Sequence, residues 1–497
     1  MRARIVWIAA AALVLICLAA LFWQQHHRLP RFTVNGHDFG AFYCAAKVAA
    51  QGHDPYRIEP LRACEHTIQA PSEYFKPDVV EPAPLLPGAL ALLAPLSAFD
   101  YRTALNIWLV IVAIATLIPA LALARLTSFP FWVTLSALVV SVGFLDMFWG
   151  QLPAACILAL SVAALCVRSG RFTAAGACAA LSLVQPHVGL PACFAMLLWV
   201  PRARVALAVS VAAFGTAGIL FTGIPTNIEY FMRMLPLHSL AEAGAQDQFS
   251  LTWLAFMAGL SDKVSVQLGQ LSYLVMFVAG VLVARRLADV YQEPAFFALA
   301  PPAFAVLGGV FIHDIQISAA IPGALLLAAK DARAAAWAWL AVALLSVSWL
   351  IHSISTGVMA LQLLALGAIV WYAARALRTF PRFAIVLAAL VGYVAMLRAL
   401  DMLPDQTIRH ASSPAAFAQE HIRDADLASY QWGITMRTWR TFDHSMASSI
   451  AYKLPRWFAL ALLLALFVRA AAEAKPAEEG RSDPRASAYP AQAVARR

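Results

Sequence analysis

The chain has 497 residues, 62% of them hydrophobic and only 13% charged, with a formal net charge of +9. Soluble domains carry about 25% charged residues, so a large water-facing helical protein is excluded. The positive balance is not a nucleic-acid signal, because Arg and Lys fall in short clusters between apolar blocks and form no basic stripe with interleaved aromatics.

Met1-Arg2-Ala3-Arg4 precedes the apolar run Ile5–Leu21. No small-x-small cleavage region follows Trp23, so this run reads as an uncleaved first transmembrane helix. Arg2 and Arg4 place the N-terminus in the cytoplasm, and residues 24–100 then emerge outside. His37-Asp38-Phe39-Gly40 opens that outer segment, ahead of the helical-looking run Phe39–Ala50. Asp38 at the mouth of a helix bundle has two readings: a general base beside a substrate hydroxyl, or a helix N-cap. Gly52-His53-Asp54-Pro55-Tyr56 is, by turn chemistry, a structural corner. Cys44 and Cys64 share the outer segment; an oxidising compartment permits a disulfide, and spacing alone leaves two free thiols open. The other five cysteines lie in apolar spans as small hydrophobes. Pro84–Leu96 is short and proline-flanked, which suits a re-entrant or interfacial helix.

Further apolar blocks place spans at roughly 102–125, 129–147, 151–168, 171–185, 187–200, 205–222, 264–284, 294–312, 315–329, 334–351, 354–376, 382–400 and 456–470; several (171–185, 187–200, 315–329) are short against the roughly 20 residues a bilayer requires. The fold class is therefore all-α: a polytopic membrane bundle of roughly 12–14 helices with long outer loops, residues 1–470 forming the membrane domain and 471–497 a disordered cytoplasmic tail. The alternation of charge supports the order. Connections expected in the cytoplasm carry Arg125, Arg168 and Arg171, Arg202 and Arg204, Arg285 and Arg286, Lys330 and Arg333, and Arg375, Arg378 and Arg382; the short outer turns at Gly150, Pro186, Asp314 and His352 carry no Lys or Arg. Both termini are thus cytoplasmic and the polar face is periplasmic or extracellular.

The polar residues gather on that outer face. Asp146 and Gly150-Gln151 occupy one turn, Gln185-Pro186-His187 a second and His313-Asp314 a third. Ionisable groups near membrane depth are costly and mark functional candidates, although water at an interface weakens the argument. In the outer segment 223–262, Gln246-Asp247-Gln248-Phe249-Ser250-Leu251, ahead of Thr252-Trp253, reads as a loop returning to the membrane that can touch substrate. The outer segment 401–455 carries Arg409, His410, His421, Arg423, Trp432, Arg437, Trp439, Arg440 and His444, which suits an interfacial basic and aromatic belt better than a phosphate grip. There is no phosphate-binding loop, dinucleotide fingerprint or HExxH motif. No zinc-site spacing or dense carboxylate cluster is present, so no cofactor is expected, and a divalent metal is possible without being required.

Taken together, Asp38-Phe39, Tyr43, Ala45-Ala46 and Gly52-His53-Asp54-Pro55-Tyr56 resemble the first outer loop of glycosyltransferase family 87. The run Glu81-Pro82-Ala83-Pro84 through Leu96, Trp149-Gly150-Gln151, Ala175-Gly176 with Gln185-Pro186, Gln248-Phe249-Ser250-Leu251 and His313-Asp314 follow the family's motifs in order, over roughly residues 30–330. The resemblance implies a GT-C fold and transfer of a hexose such as mannose from a polyprenyl-phosphate donor to a lipid or glycan acceptor. It implies an inverting displacement with Asp38 as general base, His313 near the donor phosphate, and Asp54, Tyr56, Gln151, Gln185, His187, Gln248 and Asp314 as donor or acceptor contacts. Two positions depart from the pattern: Gln185 stands where the family has lysine, so positive charge must come from elsewhere, and Glu81 replaces an aromatic. A transporter or lipid flippase is a second reading, disfavoured by apolar spans without repeats; a non-catalytic envelope-assembly protein is a third.

Overall fold

A computed structural model describes residues 36, 38–68, 79–245, 247–348, 356–378, 413–438 and 446–473, with a few positions within 386–397. The first apolar block, His352, most of the 382–400 block, Arg409, His410, Trp439, Arg440, His444 and nearly all of the C-terminal tail lie outside the described residues. Among the described residues every regular element is helical, and the β contacts are two isolated bridges, Arg57 with Leu427 and Gln248 with His313.

The segment 38–68 forms α1 (Phe39–Ala50) and α2 (Ile58–Ile68), joined by a disulfide between Cys44 and Cys64. That settles the pairing which spacing left open. The Pro84–Leu96 run contains α3 (Pro87–Leu93), continued by a 3-10 turn Ala94–Ala98. A 27-residue helix, α4 (Tyr101–Thr127), follows. Asp100 caps it, accepting the Thr103 N–H at 3.0 Å, and at 1.5 Å per residue it is about 40 Å long, ample for a hydrocarbon core of about 30 Å. Next come α5 (Phe131–Leu138), which runs through a π-helical turn Val139–Phe144 to Trp149, then α6 (Pro153–Arg168), α7 (Phe172–Leu181), α8 (Pro186–Trp199) and α9 (Arg204–Thr222).

The second half holds α10 (Leu235–Ala241), α11 (Leu251–Met257), the 30-residue α12 (Asp262–Tyr291), α13 (Pro301–Gly308), α14 (Ile321–Lys330), α15 (Ala335–Leu345), α16 (Thr356–Ala376), α17 (Ala428–Thr438) and α18 (Met446–Ala472). Five described helical segments are long and apolar enough to cross a membrane: Tyr101–Thr127, Phe131–Trp149, Pro201–Thr222, Asp262–Tyr291 and Ser449–Ala472. Their outward faces are bare hydrocarbon. Leu220 is 82% exposed, Val205 76% and Leu271 60%. A continuous apolar face of that kind is costly in water and at home in lipid.

Among the described residues fewer helices reach spanning length than the apolar blocks suggest, and helix-initiating prolines account for several of the breaks. Pro153, Pro186, Pro301 and Pro322 each stand in the first turn of a helix. There the fixed φ and missing N–H are tolerated, whereas mid-helix they would break the hydrogen-bond ladder. Blocks such as 294–312 and 315–329 therefore divide into short helices, α13 and α14, that are buried almost all round and form the centre of the bundle.

Candidate functional site

Three turns meet at one end of the bundle. The first joins the start of α1 to the end of α5. The Gly36 N–H donates to the Met147 carbonyl at 3.0 Å and the Asp38 N–H to the Trp149 carbonyl at 2.6 Å. Gln151 Nε2 donates to the Asp38 carboxylate. Gly150 makes this approach possible: its φ is +76°, and a Cβ there would lie 2.6 Å from Phe39 Cβ and 2.7 Å from Gly36 Cα, so both the left-handed backbone and the contact demand glycine. Asp38 takes the N-cap position of α1, but its side chain makes no cap hydrogen bond. The carboxylate is thus held by Gln151 rather than by the helix it precedes.

The second and third turns carry the histidines. The segment 247–249 lies antiparallel to 312–314: the Phe249 N–H donates to the Ile312 carbonyl at 2.7 Å and the Asp314 N–H to the Asp247 carbonyl at 3.1 Å. Gln248 Oε1 locks the pairing by accepting the Ile312 N–H at 3.0 Å. This register sets His313 Nδ1 2.5 Å from Asp247 Oδ2. Burial works against a charge on His313, but Asp247, with smaller help from Glu242 and Asp38, overcomes it and raises the imidazole to about 9. Burial likewise opposes ionisation of Asp247, and the His313 charge and hydrogen bond outweigh it, holding the carboxyl below its usual range. At neutral pH the pair is imidazolium and carboxylate. Asp247 occupies Nδ1, leaving Nε2 as the donor for a ligand. Asp38 is among the groups whose charge His313 feels, with a smaller effect than Asp247.

Phe311 gathers the remaining imidazoles. Its ring centroid lies 5.9 Å from that of His187, 5.6 Å from His238 and 5.7 Å from His313. His238 is buried, and burial together with the His313 charge lowers it to about 3, so it is neutral. Gln185 is 5% exposed, and its Oε1 accepts from Gln316 Nε2 at 3.2 Å. It supplies no cation; the charge beside it is His313.

Asp314 behaves differently from its neighbour. Its Oδ1 accepts from Arg456 Nη1 at 2.6 Å, and its Oδ2 accepts the Ser348 hydroxyl. Arg456, fully buried in α18, also donates from Nε to the Val347 carbonyl at 2.9 Å. Both charges are committed to fixing the third turn against α18. Arg456→Leu leaves Asp314 buried without its cation and is expected to destabilise the fold by about 3–5 kcal/mol, read as a lowered thermal unfolding midpoint; a midpoint equal to the parent's would remove this role.

The Asp54 corner is likewise committed to structure. Asp54 Oδ1 accepts the Tyr56 N–H at 2.9 Å, its Oδ2 accepts Arg57 Nε at 3.1 Å, and the Tyr56 hydroxyl donates to the Leu85 carbonyl at 2.8 Å. Arg57 continues to Glu229 at 2.7 Å and to Asp426, and Arg233 joins Glu229 to Asp424. These pairs tie the three outer segments together. Glu81 lies against Glu65, whose Oε2 accepts its N–H at 3.3 Å; burial and then the Glu81 charge raise Glu65 to about 9, so it is protonated at neutral pH. Arg437 is buried, stacks on Phe417 at 3.8 Å and donates to Asp262, so this arginine is paired inside the protein and does not face an interface.

Sequence reading passes over His238, Lys453 and Arg456, and names Asp247 only as one member of the stretch Gln246–Leu251. Lys453 is fully buried in the outer end of α18, its Nζ 4.2 Å from the centre of Trp253 and 5.0 Å from that of Phe249. The available signal was the Gln248 motif, which flags the segment but gives no reason to prefer Asp247 within it.

No curated protein matches this chain. Residues 87–312, just under half of it, match the family model of glycosyltransferase family 87. The matched stretch contains Gln151, Gln185, His187 and Gln248 and stops one residue before His313; Asp38, Asp54, Tyr56 and Asp314 also lie outside it. Over that stretch, from α3 to the turn that carries the site, this all-α membrane protein is similar to glycosyltransferases of family 87.

Proposed function

We propose that the protein transfers a sugar, a hexose such as mannose, from a polyprenyl-phosphate donor to a hydroxyl of a lipid or glycan acceptor, at the outer face of the cytoplasmic membrane. The observation that carries this reading is the His313–Asp247 pair, an imidazolium that also feels the charge of Asp38. The family match over residues 87–312 supports the transferase class.

The chemistry follows from what each group can do. Asp38, oriented by Gln151, takes the proton of the acceptor hydroxyl as its oxygen attacks the anomeric carbon. The bond from that carbon to the phosphate oxygen breaks, and the electron pair leaves with polyprenyl phosphate. A single displacement inverts the anomeric configuration. Negative charge grows on the departing phosphate, and the His313 imidazolium stabilises it through Nε2–H. Charge-assisted hydrogen bonds of this kind are roughly twice as strong as neutral ones, and electrostatic stabilisation of a developing charge is a large term in catalysis. His313 would thus supply the positive charge that Gln185 lacks. No metal is required by this scheme, and the donor lipid lies along the exposed apolar helices.

The test is direct. Purified protein, incubated with a panel of radiolabelled polyprenyl-phosphate sugars and a membrane extract, is expected to move label from one donor into a product. The product glycosidic bond should have the opposite anomeric configuration to the donor. Retention of configuration, or no transfer from any polyprenyl-phosphate sugar, would overturn the proposal.

A further inference from the structure

The helices that carry the site at one end carry an arginine-lined depression at the other. From the Gln151 turn, α6 runs away to Arg168, α7 returns toward Gln185, α8 leaves again to Trp199, and α9 begins at Arg204. The connections after α6 and α8 therefore lie together, a helix length from Asp38 and His313. Between them is a shallow, open surface depression of about 530 Å³ lined by Gly170, Arg171, Phe172, Thr173, Ala174 and Arg202.

Its walls are fixed before any ligand arrives. Gly176 of α7 lets the start of α9 press against it: a Cβ there would lie 2.6 Å from the Ala203 carbonyl oxygen and 2.7 Å from the Leu207 nitrogen. Arg202 is held over the Phe172 ring at 5.5 Å. Several other cations at this end are already committed. Arg168 and Lys330 share Glu293 at 3.6 and 2.7 Å, and Arg204 donates to the Leu197 and Leu198 carbonyls, both at 2.7 Å. Among the described residues, neither Arg171 nor Arg202 has a carboxylate within ion-pair distance. Two exposed guanidiniums facing one depression repel each other and favour a shared anion; guanidinium forks match phosphate oxygens.

The surroundings select the kind of anion. The segment Pro201–Thr222 starts at this depression and is only 11% buried, with Val205 76% and Val209 62% exposed. A ligand here meets charge at its head and a bare apolar helix face along its length. We propose that Arg171 and Arg202 bind the headgroup phosphate of an anionic phospholipid, whose acyl chains lie along α9, in the leaflet opposite the sugar-transfer site.

The full-length protein in neutral detergent supplies the test, by thermal unfolding during titration with phosphatidylglycerol, phosphatidylcholine or inorganic phosphate. Phosphatidylglycerol is expected to raise the midpoint saturably, while phosphatidylcholine and equal concentrations of phosphate leave it unchanged. R171Q/R202Q should weaken phosphatidylglycerol binding by about tenfold or more, the scale of losing charge-assisted contacts. Native mass spectrometry counts bound lipid independently of stability, and the same variant should retain one phosphatidylglycerol fewer than R171K/R202K. An undiminished lipid count and response in R171Q/R202Q would overturn the site. A full shift with inorganic phosphate would assign it to a free anion, and an equal shift with phosphatidylcholine would remove the charge selectivity; either result overturns the lipid proposal.

Discussion

Asp38→Asn is expected to lower sugar transfer by about 10²–10⁴-fold, the range a positioned general base supplies, while the protein stays folded. Three features separate chemistry from structure at this position. The Asp38 side chain makes no cap hydrogen bond to α1, so the helix does not depend on the carboxylate. Its backbone N–H keeps the 2.6 Å bond to the Trp149 carbonyl whatever the side chain. Asparagine is isosteric and its side-chain oxygen can still accept from Gln151, so orientation survives while basicity is lost. Label transfer from the active donor, measured beside the thermal midpoint, reads the two effects separately. Full turnover in a folded Asp38→Asn protein would remove Asp38 from the mechanism.

The membrane class and the one-sided placement of polar groups are legible in the sequence because a single large cost writes both. Charge is expensive in hydrocarbon, so it collects in turns, and the turns at Gln151, Gln185 and His313 do converge: Gln151 reaches Asp38, Gln185 reaches Gln316 and His313 reaches Asp247. What resists reading is the partner within each contact. The His313–Asp247 pair is separated by 66 residues and the Asp314–Arg456 pair by 142. Neither separation has a period or motif to betray it; each depends on how the segment 247–249 docks beside 312–314 and how α18 packs behind. His313 and Asp314 are adjacent in one turn, yet one faces a neighbouring carboxylate with a ring nitrogen to spare and the other is consumed by a buried arginine.

Helix extent shows the same limit. Hydropathy alone treats 294–312 as one span, whereas Pro301 divides it. Conversely, Lys453 and Arg456 make the stretch before 456 look like loop, yet α18 starts at Met446. Both charges are fully buried at its outer end, where aromatic faces and Asp314 compensate them. Local chemistry indicates where a helix can begin; only tertiary partners decide whether a charge inside it is tolerated.

Those partners also fix the pH range in which the site can work. Asp247→Asn is expected to shift the basic limb of the activity profile downward by two or more pH units. His313 is raised to about 9, so the imidazolium is present below that pH and lost as pH climbs through it. The Asp247 charge and hydrogen bond are the main supports of the raised value, set against burial, which favours the neutral ring. Asparagine can still accept the Nδ1–H bond, and Glu242 and Asp38 keep their charges, so burial stays partly offset and the ring falls to roughly its ordinary value of about 6.5. At pH 8 the parent keeps most of its imidazolium while the variant has lost nearly all of it, a decrease of roughly tenfold or more in kcat/KM for the donor. Lowering the pH to 6 restores charge to the ring and recovers much of the deficit. His313→Gln has no charge to restore and stays impaired at both pH values. A structural defect in the segment 247–249 would depress activity equally at pH 6 and pH 8, so recovery on acidification is the result that assigns Asp247 to holding the proton on His313. A profile unshifted from the parent would show that the imidazolium takes no part in releasing the phosphate.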